Sequence, residues 1–300
     1  MSDLPRQFRR PRGFTFIELL VVFGVLMILL AIFIPYLTRL RELSRRTACA
    51  QNLGRLGEAL RQYAHDNQYN FPRVRYDEAH NPNGYAAYTG PFEPSPFAPN
   101  SQVSSNDVTA SLWLLMRGGY LANLGFFICP SSSDMRDPLA IARGAAADPR
   151  RRSNFAGPRN LSYSYASPFS NAWDYQLNSD HMPAEFALMA DKNPGFATVN
   201  LEVTGPARDA QPFELEKANS FNHQRAGQNV LFAAGYVAFT ATPYCGLGND
   251  NIFTALAPSR LNGEHPPLDR PGYLGHSVGP AYKYDSYLVP TASDGLSPAP

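Results

Sequence analysis

The residue with the most unusual chemical setting in the sequence is Glu18, because it lies within the most apolar segment of the chain. The run Leu19–Ile34 contains sixteen residues, none of them charged. Extended to Phe14–Leu37, it would form a helix of roughly 36 Å, enough to cross a hydrocarbon core of about 30 Å. A carboxylate at that depth costs roughly 2.5–3.5 kcal/mol and implies a partner. No lysine or arginine lies between residues 13 and 38 to provide one.

The cation that fits this position is a new α-amine, formed if the chain is cut between Gly13 and Phe14. This amine would lie one helical turn from Glu18 in the same chain, or would reach it from a neighbouring chain. Glu18 would also fall in the first turn of the shortened helix, where the helix dipole favours a negative charge. The sequence therefore predicts a carboxylate that is neutralised only after proteolysis.

The distribution of charge predicts how this segment is oriented. Residues 1–13 carry four arginines against one aspartate, a local charge of +3, and leave 22 Lys and Arg against 24 Asp and Glu in the remainder. Basic residues before an apolar run predict a single-pass inner-membrane protein with a cytoplasmic N-terminus and an extracytoplasmic C-terminal domain. Because the bulky Ile34–Leu37 contains no small-residue cleavage site, we expect the helix to stay in the mature protein.

Residues 12–20, Arg-Gly-Phe-Thr-Phe-Ile-Glu-Leu-Leu, closely resemble the N-terminal signal of type IV pilins and type II secretion pseudopilins. The resemblance implies that a prepilin peptidase cuts after Gly13 and methylates the new N-terminal phenylalanine, Phe14. It also implies a role for Glu18 in subunit assembly, and Pro35 matches a helix-loosening proline that these proteins commonly carry. The implied partners are the prepilin peptidase, other pseudopilin subunits in a homo- or hetero-filament, and an inner-membrane assembly platform. The alternative is a plain signal anchor with an accidental glutamate.

The helical pattern continues beyond the apolar run. Leucines and a tyrosine recur at spacings of three and four over Leu53–Tyr63, which predicts an amphipathic stem helix to about Asn67. Gly54 and Gly57 are expected to weaken this helix locally and to permit close packing of its backbone. The arginines of its polar face either contact acidic residues of adjacent subunits or face solvent, and the solvated face is the interpretation we favour. These arginines are Arg39, Arg41, Arg45, Arg46, Arg55 and Arg61.

After Pro72 the composition changes to short apolar segments separated by Gly, Pro and Asn. A short helix is predicted over Val108–Arg117 with Asp107 as its cap, and strands are predicted over Phe126–Cys129 and Phe186–Ala190. A hairpin is predicted from Gln228–Ala233 and Tyr236–Thr240, which are separated by Ala234-Gly235.

These elements predict an α+β fold, in which a long N-terminal transmembrane-plus-stem helix packs on a small, mainly antiparallel sheet with long Pro/Gly-rich loops. The C-terminal segment is expected to lie over the sheet and to end in a loose tail. The predicted parts are a basic leader (1–13), a transmembrane and assembly helix (14–37), a stem helix (38–70), an extracytoplasmic domain (71–257) and a Pro/Gly-rich C-terminal segment (258–300).

Several shorter segments of the body resemble a bacterial pseudopilin branch with large outer domains. They are Cys49–Leu53 followed by Tyr63 and Phe71-Pro72, then Cys129–Ser131, then Ala190–Gly195. That branch usually ends in a His-x9-Asp-Gly motif within a hairpin. Here ten residues separate His223 from the Ala234-Gly235 pair, so both the spacing and the aspartate differ, and the role of the altered motif stays open.

Catalytic motifs are not found in the sequence. The chain has no Gly-x-Ser-x-Gly elbow, no phosphate-binding loop and no zinc-protease helix, and its six histidines are scattered. His223 and Asp191 could form a dyad, but a structural histidine near the hairpin is favoured. We therefore expect a protein that is not an enzyme.

A calcium site is the one cofactor that the sequence suggests. The loop Gly248–Asn251 is rich in oxygen ligands, and Asp191 could approach Asn249 and Asp250 there. A turn stabilised by its own Asn and Asp side chains, without an ion, is the favoured alternative.

The remaining charged and thiol groups give weaker indications. Arginines between Arg136 and Arg159 concentrate positive charge in a loop, but the net charge of +1 and the absence of interleaved aromatics lead us to expect no nucleic-acid partner. Cys49, Cys129 and Cys245 allow three pairings with one thiol left over, and the sequence does not choose among them.

The function expected from these features is that of a structural, pseudopilin-like subunit of a type II secretion or pilus-like apparatus. It would be processed and N-methylated at Phe14 and polymerised through its N-terminal helix. A pilin used in adhesion or motility is the nearest alternative. A membrane-anchored extracytoplasmic enzyme or binding module that carries a prepilin-type signal is the alternative from a different class.

Overall fold

The computed structural model describes residues 13–79, 81, 84–139, 148–195, 203–204, 206–256, 272–274, 276–292 and 294. The chain divides into two compact units, Met1–Ser44 and Arg45–Pro300. Of the leader predicted over residues 1–13, Gly13 alone belongs to the described residues.

The longest element is α1, Phe16–Asp66, a helix of 51 residues. It confirms the prediction that the helix continues past the apolar run to about residue 67. By length and composition α1 could cross a membrane, with a mean hydropathy of 3.1 over its most apolar 18 residues. Pro35 lies inside it, and the Thr38 hydroxyl donates a hydrogen bond of 2.8 Å to the Pro35 carbonyl.

The other α-helices and the strands among the described residues are α2 (Val108–Arg117), β1 (Tyr163–Ala166), β2 (Ala187–Asp191), β3 (Val203–Thr204), α3 (Pro212–Ala218), β4 (Gln228–Phe232), β5 (Val237–Thr240), β6 (Tyr273–Leu274) and β7 (Leu288–Val289). The second unit is built around a five-stranded antiparallel sheet of order β5-β4-β2-β1-β7, and β3 and β6 pair separately. This arrangement confirms the predicted α+β class.

The C-terminal part of α1 supplies one wall of the core. Its fully buried residues follow the predicted spacing of three and four: Cys49, Leu53, Leu56, Leu60 and Ala64. A Cβ atom at Gly57 would lie 2.8 Å from a methyl carbon of Leu231 on β4, so the glycine lets helix and sheet approach. Apart from its chain neighbours and the backbone of its own helix, no described atom lies within 4 Å of the same position at Gly54, so the expected close packing holds for Gly57 alone.

Two local predictions for the second unit are confirmed. α2 begins after Asp107, whose carboxylate accepts the backbone N–H of Ala110 at 2.8 Å, as expected for a helix cap. β4 and β5 form the predicted hairpin, and Gly235 in its turn has a φ of +91°, which glycine adopts without strain.

The strand predicted over Phe126–Cys129 is wrong, because Leu124–Phe127 forms a 3-10 helix. The Asn123 side chain accepts the backbone N–H of Gly125 at 2.9 Å and so stabilises a turn where the apolar run alone suggested a strand. The C-terminal segment also differs from the expected cover over the sheet. β7 is an edge strand of that sheet, with Val289 opposite Tyr165 on β1.

A buried ion pair joins Arg152 to Asp137. Arg152 is fully buried, and its guanidinium donates to both carboxylate oxygens of Asp137, at 2.7 and 3.3 Å. It also lies 5.0 Å from the ring centre of Trp113 on α2. This arginine therefore contributes to the core and not to a basic surface for nucleic acid.

We expect Arg152→Met to lower the free energy of unfolding of the second unit by about 3–5 kcal/mol, because it leaves the Asp137 carboxylate buried without its cation. Denaturant unfolding of the detergent-solubilised chain would measure the change. Arg55→Met is the matched control: it removes an exposed pair with Glu58, whose side chains are 61% and 60% exposed, and should cost less than about 1 kcal/mol. Equal effects of the two variants would contradict this account of the buried pair.

Candidate functional site

The predicted processing site precedes the first turn of α1. Phe14 is 80% exposed. Apart from its chain neighbours, no described atom lies within 4 Å of the position that a Cβ atom would occupy at Gly13. Packing among the described residues therefore does not require a glycine at position 13. If a glycine is needed there, the need comes from the protease that binds this segment.

Glu18 has a local partner that the sequence analysis missed. Thr15 donates to the Glu18 carboxylate from its backbone N–H at 2.8 Å and from its hydroxyl at 2.9 Å. The Glu18 backbone N–H donates back to the Thr15 hydroxyl at 3.3 Å. This reciprocal pattern is the capping box of a helix that starts at Phe16, and its signal was present as Thr-x-x-Glu. Glu18 thus fixes the start of the helix and keeps its negative charge exposed.

The first part of α1 carries apolar side chains on all of its faces. The most hydrophobic 18-residue window of the helix is 0% buried, and residues such as Phe16, Phe23 and Ile32 are exposed by 80%, 62% and 68%. A helix that is hydrophobic all round is stable in lipid or against neighbouring helices, but not in water. This segment is suited to a membrane anchor.

Residues 8–34 match the family model of the prokaryotic N-terminal methylation motif. The match includes Gly13, Phe14 and Glu18 and confirms the resemblance to the prepilin-type signal. The motif implies processing by a prepilin peptidase and assembly with other pilin-type subunits, and it supports a type IV pilin-like protein. No curated protein and no solved structure matches the chain.

A second site lies in the body, where Asp191 ends β2 with its carboxylate fully buried. One oxygen accepts the backbone N–H of Asn229 at 2.7 Å, and the other accepts the side-chain amide of Asn222 at 2.9 Å. The Cys49 thiol donates to the carboxylate at 3.1 Å. His223 Nε2 lies 3.3 Å from the same carboxylate, so the dyad considered from the sequence is a real contact.

Cys129 completes this group, with its sulfur 3.6 Å from His223 Nε2. We call Cys49, Cys129, Asp191 and His223 the buried tetrad; one ligand atom from each lies within 4.8 Å of the other three. The members come from α1, the turn after the 3-10 helix, the end of β2 and the turn before β4. All three cysteines of the chain are free thiols, and Cys245 is not a member.

The charges of the buried tetrad depend on one another. Burial, together with the Asp191 charge, raises the pKa of the Cys49 thiol well above its usual value. A hydrogen bond from Cys49 lowers the pKa of Cys129 despite burial. Burial disfavours the charged form of His223, but hydrogen bonds with Asp191 and Cys129 outweigh it and raise the pKa of His223 to about 10. The protonation state of each of these residues therefore depends on that of its neighbours.

The residues predicted to bind calcium occupy different surroundings. Asp191 belongs to the buried tetrad, Asn249 is exposed, and Asp250 is buried and accepts the Ser286 backbone N–H at 2.8 Å. Among the described residues, one oxygen of Asp250, one of Asp285 and the Ser286 hydroxyl are buried without a hydrogen-bond partner. Calcium binding at Asp191, Asn249 and Asp250 stays a prediction.

The histidine and the turn of the altered His223–Gly235 motif have different roles in the structure. The His223 ring is buried within the tetrad. The turn lies against the stem helix, where Arg61 donates to the Ala234 carbonyl at 3.4 Å. The turn that lacks the aspartate thus contacts the stem helix, whereas the histidine belongs to the tetrad.

We expect Gly13→Ala to block processing and to accumulate the precursor, because the prepilin-type signal places the cut after this glycine. Gel mobility, with mass spectrometry of the N-terminus, would measure it; the parent chain should begin with N-methylated Phe14. Gly24→Ala is the control, since it also meets no described atom within 4 Å, and it should be cut normally. Normal cleavage of Gly13→Ala would contradict the assigned cut site.

The pair Asp250 and Asp285 predicts a pH dependence of stability. Burial raises the pKa of Asp285 to about 7 and that of Asp250 well above its usual value. The folded state therefore keeps protons that the unfolded chain loses near pH 4, so this pair makes the free energy of unfolding fall as pH rises from about 4 to 7. Asp285→Asn should reduce that fall by an amount on the order of 1–4 kcal/mol.

Urea unfolding of the parent, Asp285→Asn and the exposed control Asp209→Asn between pH 4 and pH 8 would measure this effect. The control should keep the pH profile of the parent. An unchanged profile in Asp285→Asn would show that the pair is not a source of the dependence.

Proposed function

We propose that the chain is a structural, pseudopilin-like subunit of a type II secretion or pilus-like apparatus. A prepilin peptidase removes residues 1–13 and methylates Phe14, and the cut subunit polymerises through its N-terminal helix. The observation that carries the proposal is the match of residues 8–34 to the methylation motif. The exposed segment before α1 and the charged side chain of Glu18 at the helix start support it.

In this function the apolar part of α1 exchanges lipid for neighbouring helices. Before assembly the subunit is a single-pass inner-membrane protein, with its basic leader in the cytoplasm and its body on the extracytoplasmic side. During assembly the side chains of Phe14–Leu37 pack against the same segment of adjacent subunits. Small residues such as Gly24 and Ala31 permit close approach of the helices. An assembly platform in the inner membrane is the expected partner for this step.

Glu18 supplies the electrostatic part of assembly. Its carboxylate becomes buried when helices pack, and the α-amine of Phe14 from an adjacent subunit would neutralise it there. A pair of this kind forms only after cleavage, because the amine does not exist in the precursor. The charge therefore couples processing to polymerisation.

The site in the body supports a structural role over an enzymatic one. A cleft of about 580 Å³ lies near the tetrad and is lined in part by Asp134, Lys192 and Asn222, while His223 and Asp191 are absent from its lining. Both members of that pair are fully buried. A dyad that substrate cannot reach does not act in catalysis.

We expect Glu18→Gln and Glu18→Val to be inserted into the membrane and cleaved. Their amount in fibres should fall at least tenfold, because neither side chain offers a carboxylate to the neighbouring amine. Thr15→Ala is the matched control: it removes the hydroxyl of the capping box and keeps the charge. It should assemble normally. Fibre content after shearing, compared with total membrane content by immunoblot, measures incorporation.

The capping box provides the competing explanation. If Glu18 acts only by starting the helix, then Glu18→Gln should assemble, since glutamine also accepts the Thr15 hydrogen bonds. Assembly of Glu18→Gln together with loss in Thr15→Ala would therefore reject the charge pairing.

A further inference from the structure

The buried tetrad combines four side chains that bind metals in proteins: two thiols, an imidazole and a carboxylate. Each of the four residues is fully buried. Three separations are 3.1 Å between Cys49 Sγ and Asp191 Oδ1, 3.6 Å between Cys129 Sγ and His223 Nε2, and 3.3 Å between His223 Nε2 and Asp191 Oδ2, and one ligand atom from each residue lies within 4.8 Å of the other three. Zinc bonds of about 2.0–2.3 Å in a tetrahedron place the ligand atoms about 3.3–3.8 Å apart.

We propose that Cys49, Cys129, Asp191 and His223 bind one structural Zn²⁺ ion that ties the stem helix to the sheet. This inference does not depend on the proposed function, because it concerns the second unit alone. It shares Asp191 with the calcium prediction but differs from it in the other residues and in the chemistry of the ligands.

The choice of zinc follows from the ligand set. Thiolate sulfur favours soft and borderline ions, and two thiolates with an imidazole and one carboxylate oxygen fit a four-coordinate site. Calcium prefers six to eight oxygen ligands, and this site offers one carboxylate. All four ligands come from the protein and exclude water, so the ion would have no open position and would act in structure, not in catalysis.

Neighbouring groups are placed to support the ligands. The Ser131 backbone N–H donates to Cys129 Sγ at 3.4 Å, and the Tyr163 hydroxyl donates to Cys49 Sγ at 3.4 Å. Asn222 and Asn229 fix the Asp191 carboxylate through one hydrogen bond to each oxygen. Such contacts orient metal ligands and offset the negative charge that two thiolates and a carboxylate leave on a divalent ion.

The positions of the ligands explain what the ion would do. The four residues lie between positions 49 and 223 and on four separate segments, so one ion would join parts of the chain that are far apart in the sequence. Because ligands are brought together only in the folded state, the binding free energy becomes folding free energy. The cleft lined by Ser131 and Asn222, neighbours of two ligands, provides an approach for the ion.

The experiment measures metal in the detergent-solubilised full chain. We expect about one zinc per chain by elemental analysis in the parent and in Cys245→Ser, whose thiol lies outside the tetrad. In Cys129→Ser and His223→Ala the amount of bound zinc per chain should fall at least tenfold. Parent protein without stoichiometric metal and with both thiols open to alkylation would overturn the proposal, as would iron or copper in place of zinc.

A second measurement on the parent chain avoids variants that fail to fold. Removal of the ion with a chelator under reducing conditions should lower the melting temperature, and Zn²⁺ but not Ca²⁺ should restore it. Reloading with Co²⁺ should give the sulfur-to-cobalt charge-transfer band and the visible absorption of a tetrahedral thiolate site. Absence of both signals, or a Cys49–Cys129 disulfide in protein isolated without reductant, would reject the site.

Discussion

Asp191 is fully buried at the end of β2, and a buried carboxylate is stable only where several donors replace the water it has lost. Those donors come from α1, from the turn that contains Asn222 and from the start of β4. The requirement to satisfy one charge therefore aligns three separate parts of the second unit. The fully buried Cys49 face of α1 and the approach of Gly57 to Leu231 on β4 follow the same alignment.

The same rule acts differently on Glu18. This carboxylate is satisfied within four residues by Thr15, and its charge stays exposed. A charge held by a local cap can take a partner from another subunit when its surroundings lose water, whereas the donors to Asp191 all lie within the second unit. The chain thus contains one acidic residue suited to assembly between subunits and another suited to holding a single subunit together.

Much of the fold could be predicted from the sequence where the signal was local. The 51 residues of α1, the cap at Asp107 and the hairpin with Gly235 each rest on spacing or turn chemistry within a few residues. The 3-10 helix at Leu124–Phe127 was missed because a short apolar run does not distinguish a strand from a capped turn. β1 and β7 were missed because strands of four and two residues carry too little pattern to be recognised.

By itself the sequence determined the N-terminal processing signal, the apolar helix and the α+β class, since each depends on residues that are neighbours along the chain or share one helix face. It also suggested the contact of His223 with Asp191, but it left the three cysteines undecided. Only the tertiary structure placed Cys49 and Cys129 beside that pair, apart from Cys245. The physical reason is that contacts across 94 and 142 positions depend on how helix and sheet pack, and no local spacing records that packing.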